Sequence, residues 1–302
     1  MTIADHSPSV LVIDDDENFV NSMVAVFKQR KVAAHGLSDI GEVFRAARNG
    51  TFAKYDITFI DMRLGKLNNK DVTAADVLLQ AKTYTPNAKI IVFTQKGISV
   101  EECVRCIQWG ALGIFPKTSE PEHFDLVARV YPHVGNPTEV RETLICEVWK
   151  ELSLTGKGEG GRLLEMLMIN LFNSIVGFSV IENNVEHAAG ELDVVIANSC
   201  EHEFWKSLNS HHLIVECKSG TDRSEKEVFN ILSEKVRKKR LCKVGIVVSL
   251  AGATKGFRTL QSTSYEDDVL IFAMHQQELS ELVRLKFSER ERYLRNIFEK
   301  QI

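Results

Sequence analysis

Between residues 8 and 130 the chain alternates short, unbroken apolar runs with amphipathic stretches, and few folds satisfy that pattern. The runs are Val10–Ile13, Ile57–Ile60, Lys89–Phe93 and Gly113–Phe115, with a weaker one near Val32–His35. Between them lie Asn18–Gln29, Ile40–Asn49, Ala74–Tyr84 and Ser99–Gly110, which read as helices. A strand with one wet face would alternate apolar and polar residues. These runs do not, so both faces of their sheet must be covered. Strand–helix alternation of this kind predicts an α/β domain with a doubly wound parallel sheet.

Ligands of such open sheets, of which the five-stranded flavodoxin-like fold is the form expected here, sit at the carboxyl ends of the strands. Chemistry-bearing residues fall at those ends. Asp14, Asp15 and Asp16 follow VLVI, Asp61 follows ITFI, Thr94 follows IIVF and Lys117 follows GIFP. Clustered carboxylates are costly without a cation, and hard oxygen ligands suit Mg²⁺. Such an ion would neutralise a phosphoryl group moving to an aspartate nucleophile, with a lysine and a hydroxyl binding its oxygens.

Residues 8–130 resemble the response-regulator receiver family on these motifs. VLVIDDDENF is similar to its first strand with the acidic pair, here Asp14 and Asp15; YDITFIDMRL is similar to its third strand with the phospho-acceptor, here Asp61. Thr94 and Lys117 match its switch hydroxyl and its lysine. The resemblance implies Mg²⁺ at Asp14, Asp15 and Asp61, and a sensor histidine kinase or phosphotransfer protein as partner. Three departures stand out. The loop after Asp61, MRLGKLNNKDVTAAD, is longer than the family's turn; Ile114 occupies the place of the aromatic switch residue; Thr118 replaces the proline after the lysine. The last two put the family's usual conformational relay in doubt.

Residues 131–154 read as a helical linker interrupted at Pro132–Pro137, where Pro and Gly suggest a hinge. From 155 to 302 the pattern changes. An apolar helix, Arg162–Ile175, is followed by strands Phe178–Glu182, Glu191–Ala197 and Leu213–Cys217. Helix Glu225–Lys239, strands Val244–Ser249 and Val269–Ala273, and a helix pair over Gln277–Gln301 complete it. Glu216 and Lys218 are two apart on a strand and share a face. If the strand of Asp193 is adjacent, Asp193 and Glu216 can share a divalent ion. That pairing suits phosphodiester hydrolysis: the ion polarises phosphate and lowers the pKa of a bound water, and Lys218 orients that water or stabilises charge.

This half resembles the PD-(D/E)xK restriction-endonuclease-like superfamily, especially its Mrr-like members. The residues that carry the likeness are the opening helix Gly161-Arg-Leu-Leu-Glu165, Asp193 on ELDVVIAN, Glu216-Cys217-Lys218, and the strand with its small-residue tail, GIVVSLAGATKGF. The resemblance implies a restriction-endonuclease-like α/β domain with Glu165, Asp193, Glu216 and Lys218 as catalytic residues and Mg²⁺ at Asp193 and Glu216. The residues before Asp193 are Glu191 and Leu192, where the superfamily name implies proline.

With 41 acidic against 37 basic residues, net charge −4, the chain is no globally basic nucleic-acid binder, so a DNA contact must come from a local patch. The candidate is Lys235, Arg237, Lys238, Lys239 and Arg240; a solvated helix C-terminus reads equally well. TGKGEGG lacks the spacing of a phosphate-binding loop, and Cys103 and Cys106 lack the second pair of a structural zinc site. No apolar run reaches the length of a membrane span, and MTIADHSPSV has no secretory pattern, so the expectation is a cytoplasmic protein without a membrane partner.

The sequence thus predicts a response regulator whose phosphorylation at Asp61 controls a Mg²⁺-dependent DNA nuclease. A homodimer would bring the two active sites that cutting both strands needs. The alternative is a phospho-switched DNA-binding or protein-interaction module with an inactive nuclease fold.

Overall fold

The computed structural model describes residues 9–94, 99–117, 129–130, 133, 136–155, 160–181, 194–220, 225–263 and 269–302. The chain divides into two compact units, Met1–Leu144 and Ile145–Ile302.

The first unit is built on strands β1 (Ser9–Ile13), β2 (Ala33–Leu37), β3 (Ile57–Asp61), β6 (Ile90–Thr94) and β7 (Gly113–Pro116). They form one parallel sheet in the order β2-β1-β3-β6-β7. Every residue of β3 and β6 is buried, as their unbroken apolar runs require. Helices α1 (Glu17–Gln29), α2 (Ile40–Arg48), α3 (Ala74–Tyr84) and α4 (Val100–Gln108) connect the strands. Each begins at a polar cap: Asp16 and Asp39 accept backbone N–H groups of α1 and α2, and Ser99 forms a reciprocal box with Glu102. Val20, Met23 and Phe27 are the buried stripe of α1, and Phe27 stacks on Phe59, which stacks on Phe93 of the neighbouring strand.

The segment after Asp61 is not a loop, as its composition suggested, but a β-hairpin of β4 (Arg63–Leu67) and β5 (Lys70–Thr73). Asn68 and Asn69 both take left-handed backbone (φ 52° and 62°), the geometry of a tight hairpin turn that asparagine tolerates. Leu64 and Val72 are buried, which pins the hairpin to the domain while Lys66 and Asp71 pair in solvent.

In the second unit, α5 (Pro137–Leu154) enters from residue 145, and α6 (Gly160–Phe172) buries residues on every side, including Leu164, Met168 and Phe172. Every residue from Met166 to Phe172 is buried, which puts the second half of this helix in the middle of a core. The sheet contains β8 (Phe178–Ile181), β9 (Val194–Asn198), β10 (His212–Lys218), β11 (Cys242–Ser249) and β12 (Leu270–His275), in spatial order β12-β11-β10-β9-β8. β8, β9 and β10 run antiparallel to their neighbours; β10, β11 and β12 are parallel. The parallel pair β10 and β11 needs a crossover, supplied by α8 (Lys226–Lys238). Its Phe229, Leu232 and Val236 pack with Val247, Ile271 and Phe257.

Two helices appear that the sequence pattern did not mark: α7 (Glu203–Ser207) and α9 (Lys255–Thr263). α7 carries Trp205, whose indole N–H donates to Glu291 at 2.6 Å. The C-terminal pair is α10 (Gln276–Arg284) and α11 (Phe287–Glu299). Arg290, wholly buried, donates to the carbonyls of Leu282 and Val283 at the end of α10 and to Ser174 Oγ. Beyond α11 the Gln301 side chain accepts from Ala273 N–H and donates to its carbonyl, blunting the outer edge of β12. Among the described residues no helix is long and apolar enough to cross a membrane.

Candidate functional site

The parallel register of the first unit delivers the acidic and basic residues to one end of its sheet. Ile13 stands opposite Ile60, Asp61 opposite Phe93 and Thr94 opposite Pro116, so Asp14, Asp61, Thr94 and Lys117 all lie at carboxyl ends of neighbouring strands. The three consecutive aspartates then separate by role. Asp14 is buried, Asp15 is exposed, and Asp16 turns back to cap α1, accepting from Asn18 and Phe19.

Lys117 reaches back across β6. Its Nζ lies 2.6 Å from Asp14 Oδ2, 2.7 Å from Asp61 Oδ1 and 4.6 Å from the Phe19 ring centre. Asp14 Oδ1 accepts from Asp16 N–H and Asp61 Oδ2 from Arg63 N–H. Despite the close ammonium, Asp61 Oδ1 accepts no hydrogen bond of good geometry. Loss of hydration is the largest influence on both carboxylates. Burial, with the Asp61 charge added, lifts Asp14 to about 6 against the opposing pull of Lys117. Burial also raises Asp61. For Lys117 burial alone would lower the pKa, but the Asp61 and Asp14 carboxylates outweigh it and the net shift is upward. Thr94 is buried, and its carbonyl accepts the Lys117 N–H at 2.6 Å.

Oxygens of Asp14, Asp15 and Asp61 lie within 4.8 Å of one another. Partly desolvated, mutually repelling carboxylates with an underused buried oxygen are a donor set that fits a hard divalent cation. The hairpin closes over one side: Gly65, with φ +79°, sits so near that a Cβ there would be 3.2 Å from Asp15 Oδ2. On the inner side Met62 places its sulfur 3.5 Å from the buried Cys106 thiol on α4, which burial pushes well above its ordinary pKa. Cys103 and Cys106 are both buried thiols outside any disulfide, and Ile114 is buried. Thr118 lies outside the described residues.

In the second unit Glu216 and Lys218 extend from the carboxyl end of β10. Glu216 is only 5 % exposed. Its Oε1 is 2.7 Å from Lys218 Nζ and its Oε2 is 2.8 Å from Lys235 Nζ, which arrives from α8. Just past Lys218, Ser219 lies against the start of α6. A Cβ at Gly160 would be 3.1 Å from Ser219 Cβ, so glycine lets the helix that carries Glu165 approach the end of β10. β9 begins opposite Val215, the residue before Glu216. Asp193, the residue before that beginning, lies outside the described residues.

The basic run divides. Lys235 belongs to the Glu216 carboxylate. Arg237, Lys238 and Arg240 are exposed, Lys239 half-buried, and they lead into the other end of the sheet, where the Arg240 carbonyl is 3.3 Å from His212 Nδ1 at the start of β10. Lys238 also pairs with Glu234 at 2.5 Å. The sequence reading missed the Lys235 contact. Its signal was positional: Lys235 follows buried Leu232 by three residues, so it flanks the inward stripe of α8.

Residues 10–130 match the model of the response regulator receiver domain family. Solved structures similar to the chain include a response regulator receiver domain protein from Clostridium thermocellum, at 18% identity over 43% of this chain and 93% of that one, TM-score 0.34. A CheY-like receiver domain protein from Methanospirillum hungatei shares 20% identity over 43% of this chain and 95% of that one, TM-score 0.36. The non-phosphorylated HemR receiver domain from Leptospira biflexa shares 18% over 42% and 94%, TM-score 0.34. No curated protein matches the chain. Residues 10–130 are therefore a response regulator receiver domain, and receiver domains hold Mg²⁺ at an acidic pocket of the kind formed by Asp14, Asp15 and Asp61.

Proposed function

We propose that Asp61 accepts a phosphoryl group from a histidine kinase or phosphotransfer protein, and that its presence controls phosphodiester hydrolysis of DNA by the second unit. On the receiver side, the supporting observation is the Lys117 ammonium between the two buried carboxylates, 2.7 Å from Asp61. An Asp61 oxygen attacks phosphorus as the bond to the donor's imidazole nitrogen breaks, and the imidazole leaves as a neutral ring once protonated. Mg²⁺ at Asp14, Asp15 and Asp61 supplies charge neutralisation of the phosphoryl oxygens. Lys117 exchanges its contact with Asp61 for one with a phosphoryl oxygen, and Thr94, at the adjacent strand end, offers a hydroxyl to another.

On the effector side, one observation carries the reading: a buried glutamate and a lysine two residues later share the end of β10, beside β9 and beneath the helix that carries Glu165. The order helix, Asp193, Glu216, Lys218 fits the PD-(D/E)xK likeness, with Asp193 and Glu216 as ligands for Mg²⁺ and Lys218 orienting the attacking water. The pairing of both Glu216 oxygens with ammonium groups favours a second reading, in which the fold binds DNA or a protein without cutting.

Plasmid cleavage in Mg²⁺ or Mn²⁺ separates the two. Wild type and Lys218→Ala are compared with and without beryllofluoride as phosphoryl mimic. Cutting by wild type, reduced at least about a hundredfold in the variant and altered by beryllofluoride, is the expected result. No cutting under any condition leaves the non-catalytic module.

A further inference from the structure

The Glu216 carboxylate is almost wholly buried and is met on each oxygen by a different ammonium. The two lysines are not equivalent. Lys218 lies on the same strand, and its side chain keeps 31 % exposure. Lys235 comes from α8, nineteen residues away, and only 11 % of its side chain is exposed. We infer that Lys235 is the resident counter-ion of Glu216, a positioning residue that a divalent cation must displace from Oε2 before the carboxylate can serve as its ligand. This rests on the metal-dependent reading of the same site.

The physical argument is one of occupancy. A buried carboxylate needs a positive partner, and an ammonium at 2.8 Å satisfies that need as a metal ion would. The two cannot share one oxygen at bonding distance without strong repulsion. Lys235 therefore holds Glu216 folded and oriented, and in doing so it weakens metal binding. On α8, Lys235 stands three residues after buried Leu232 and directly before buried Val236, at the flank of the helix's inward stripe.

The test is calorimetric titration of Mn²⁺ into the full chain, with Asp15→Asn in every sample to remove the receiver site. Lys235→Met and Lys235→Gln are compared with the parent, with Lys235→Arg, which keeps the charge, and with Glu216→Gln. The inference expects Mn²⁺ to bind roughly tenfold more tightly in the Met and Gln variants, the scale of one close charge at a partly buried site. It expects parent-like affinity in the Arg variant and no binding in Glu216→Gln. The Gln variant guards against misfolding of the Met variant, since it keeps a hydrogen-bond donor. Equal or weaker Mn²⁺ binding in both neutral variants, with binding still lost in Glu216→Gln, overturns the role of Lys235 and leaves the metal site standing. No binding by the parent or by either neutral variant removes the metal-dependent reading itself, and this inference with it.

Discussion

Asp14 sits where its charge is least favoured. Burial, reinforced by the Asp61 carboxylate, moves its pKa from 3.8 to about 6 even though Lys117 pulls the other way. The sign for stability follows. The folded state holds the Asp14 proton more tightly than the unfolded state, so stability is greatest below about 4 as far as this group is concerned. It declines as pH rises from about 4 to about 6, by an amount on the order of 3 kcal/mol, and is level above. Asp61, also raised chiefly by burial, acts in the same direction. Asp14→Asn should therefore raise the thermal midpoint of the chain at pH 7.5 in chelator, by a few degrees. The amide oxygen can still accept from Asp16 N–H. Added Mg²⁺ should then raise the midpoint of wild type more than that of the variant, which lacks a receiver-site ligand, because stabilisation follows binding. A lower midpoint for the variant in chelator would mean that the Lys117 contact outweighs the cost of burial.

Among the elements, the hairpin β4–β5 closes over one side of the receiver site, and Gly65 is its fixed point. Gly65 has φ +79° and lies against Asp15, whereas Gly110 has φ +98° with nothing within 4 Å of a built Cβ. Gly65→Ala and Gly110→Ala both strain the backbone, by about 1–2 kcal/mol. Only the first also presses on a metal-binding carboxylate. Titration of Mg²⁺ should show weaker binding in Gly65→Ala by several-fold and unchanged binding in Gly110→Ala; a parallel change in both would reduce the effect to general destabilisation. Four of the parallel strands were legible as short apolar runs, the edge strand β2 (AAHGL) only weakly, and the receiver site was legible because its residues follow those runs directly. The hairpin was not. Its two-residue alternation is broken where the register shifts between Arg63 and Lys66, and its turn is Asn-Asn instead of the stronger Asn-Gly signal. Helix α9 was hidden by its composition, since KGFRTLQST is poor in strong helix formers and is held by tertiary packing of Phe257. In the second site the chemistry of Glu216 and Lys218 was visible in sequence, and so was the place of Lys235 beside the inward stripe of α8, but its pairing with Glu216 depends on how α8 lies over β10, which no local pattern states.

At the scale of the whole molecule, the geometry separates the exposed basic residues from the proposed hydrolytic centre. Arg240 is beside His212, at the start of β10, and Lys218 ends that strand. Six steps of about 3.3 Å put the two ends of β10 roughly 20 Å apart. A duplex advances about 3.4 Å per base pair, so one DNA must be at least about six base pairs long to touch both. On an acidic chain of net charge −4, such a local patch is what would bind phosphates at all. Lys238 pairs with Glu234, and the exposed Arg237 and Arg240 stand on either side of it. Replacing both with glutamine should lower the slope of log affinity against log salt by about 2 for a duplex of about twenty base pairs, uniformly across sequences. The same double variant should raise KM on that duplex, leave kcat nearly unchanged, and act on substrates shorter than about six base pairs as wild type does. An equal loss on both lengths would place the two arginines at the hydrolytic centre. An unchanged salt slope would remove them from the DNA path.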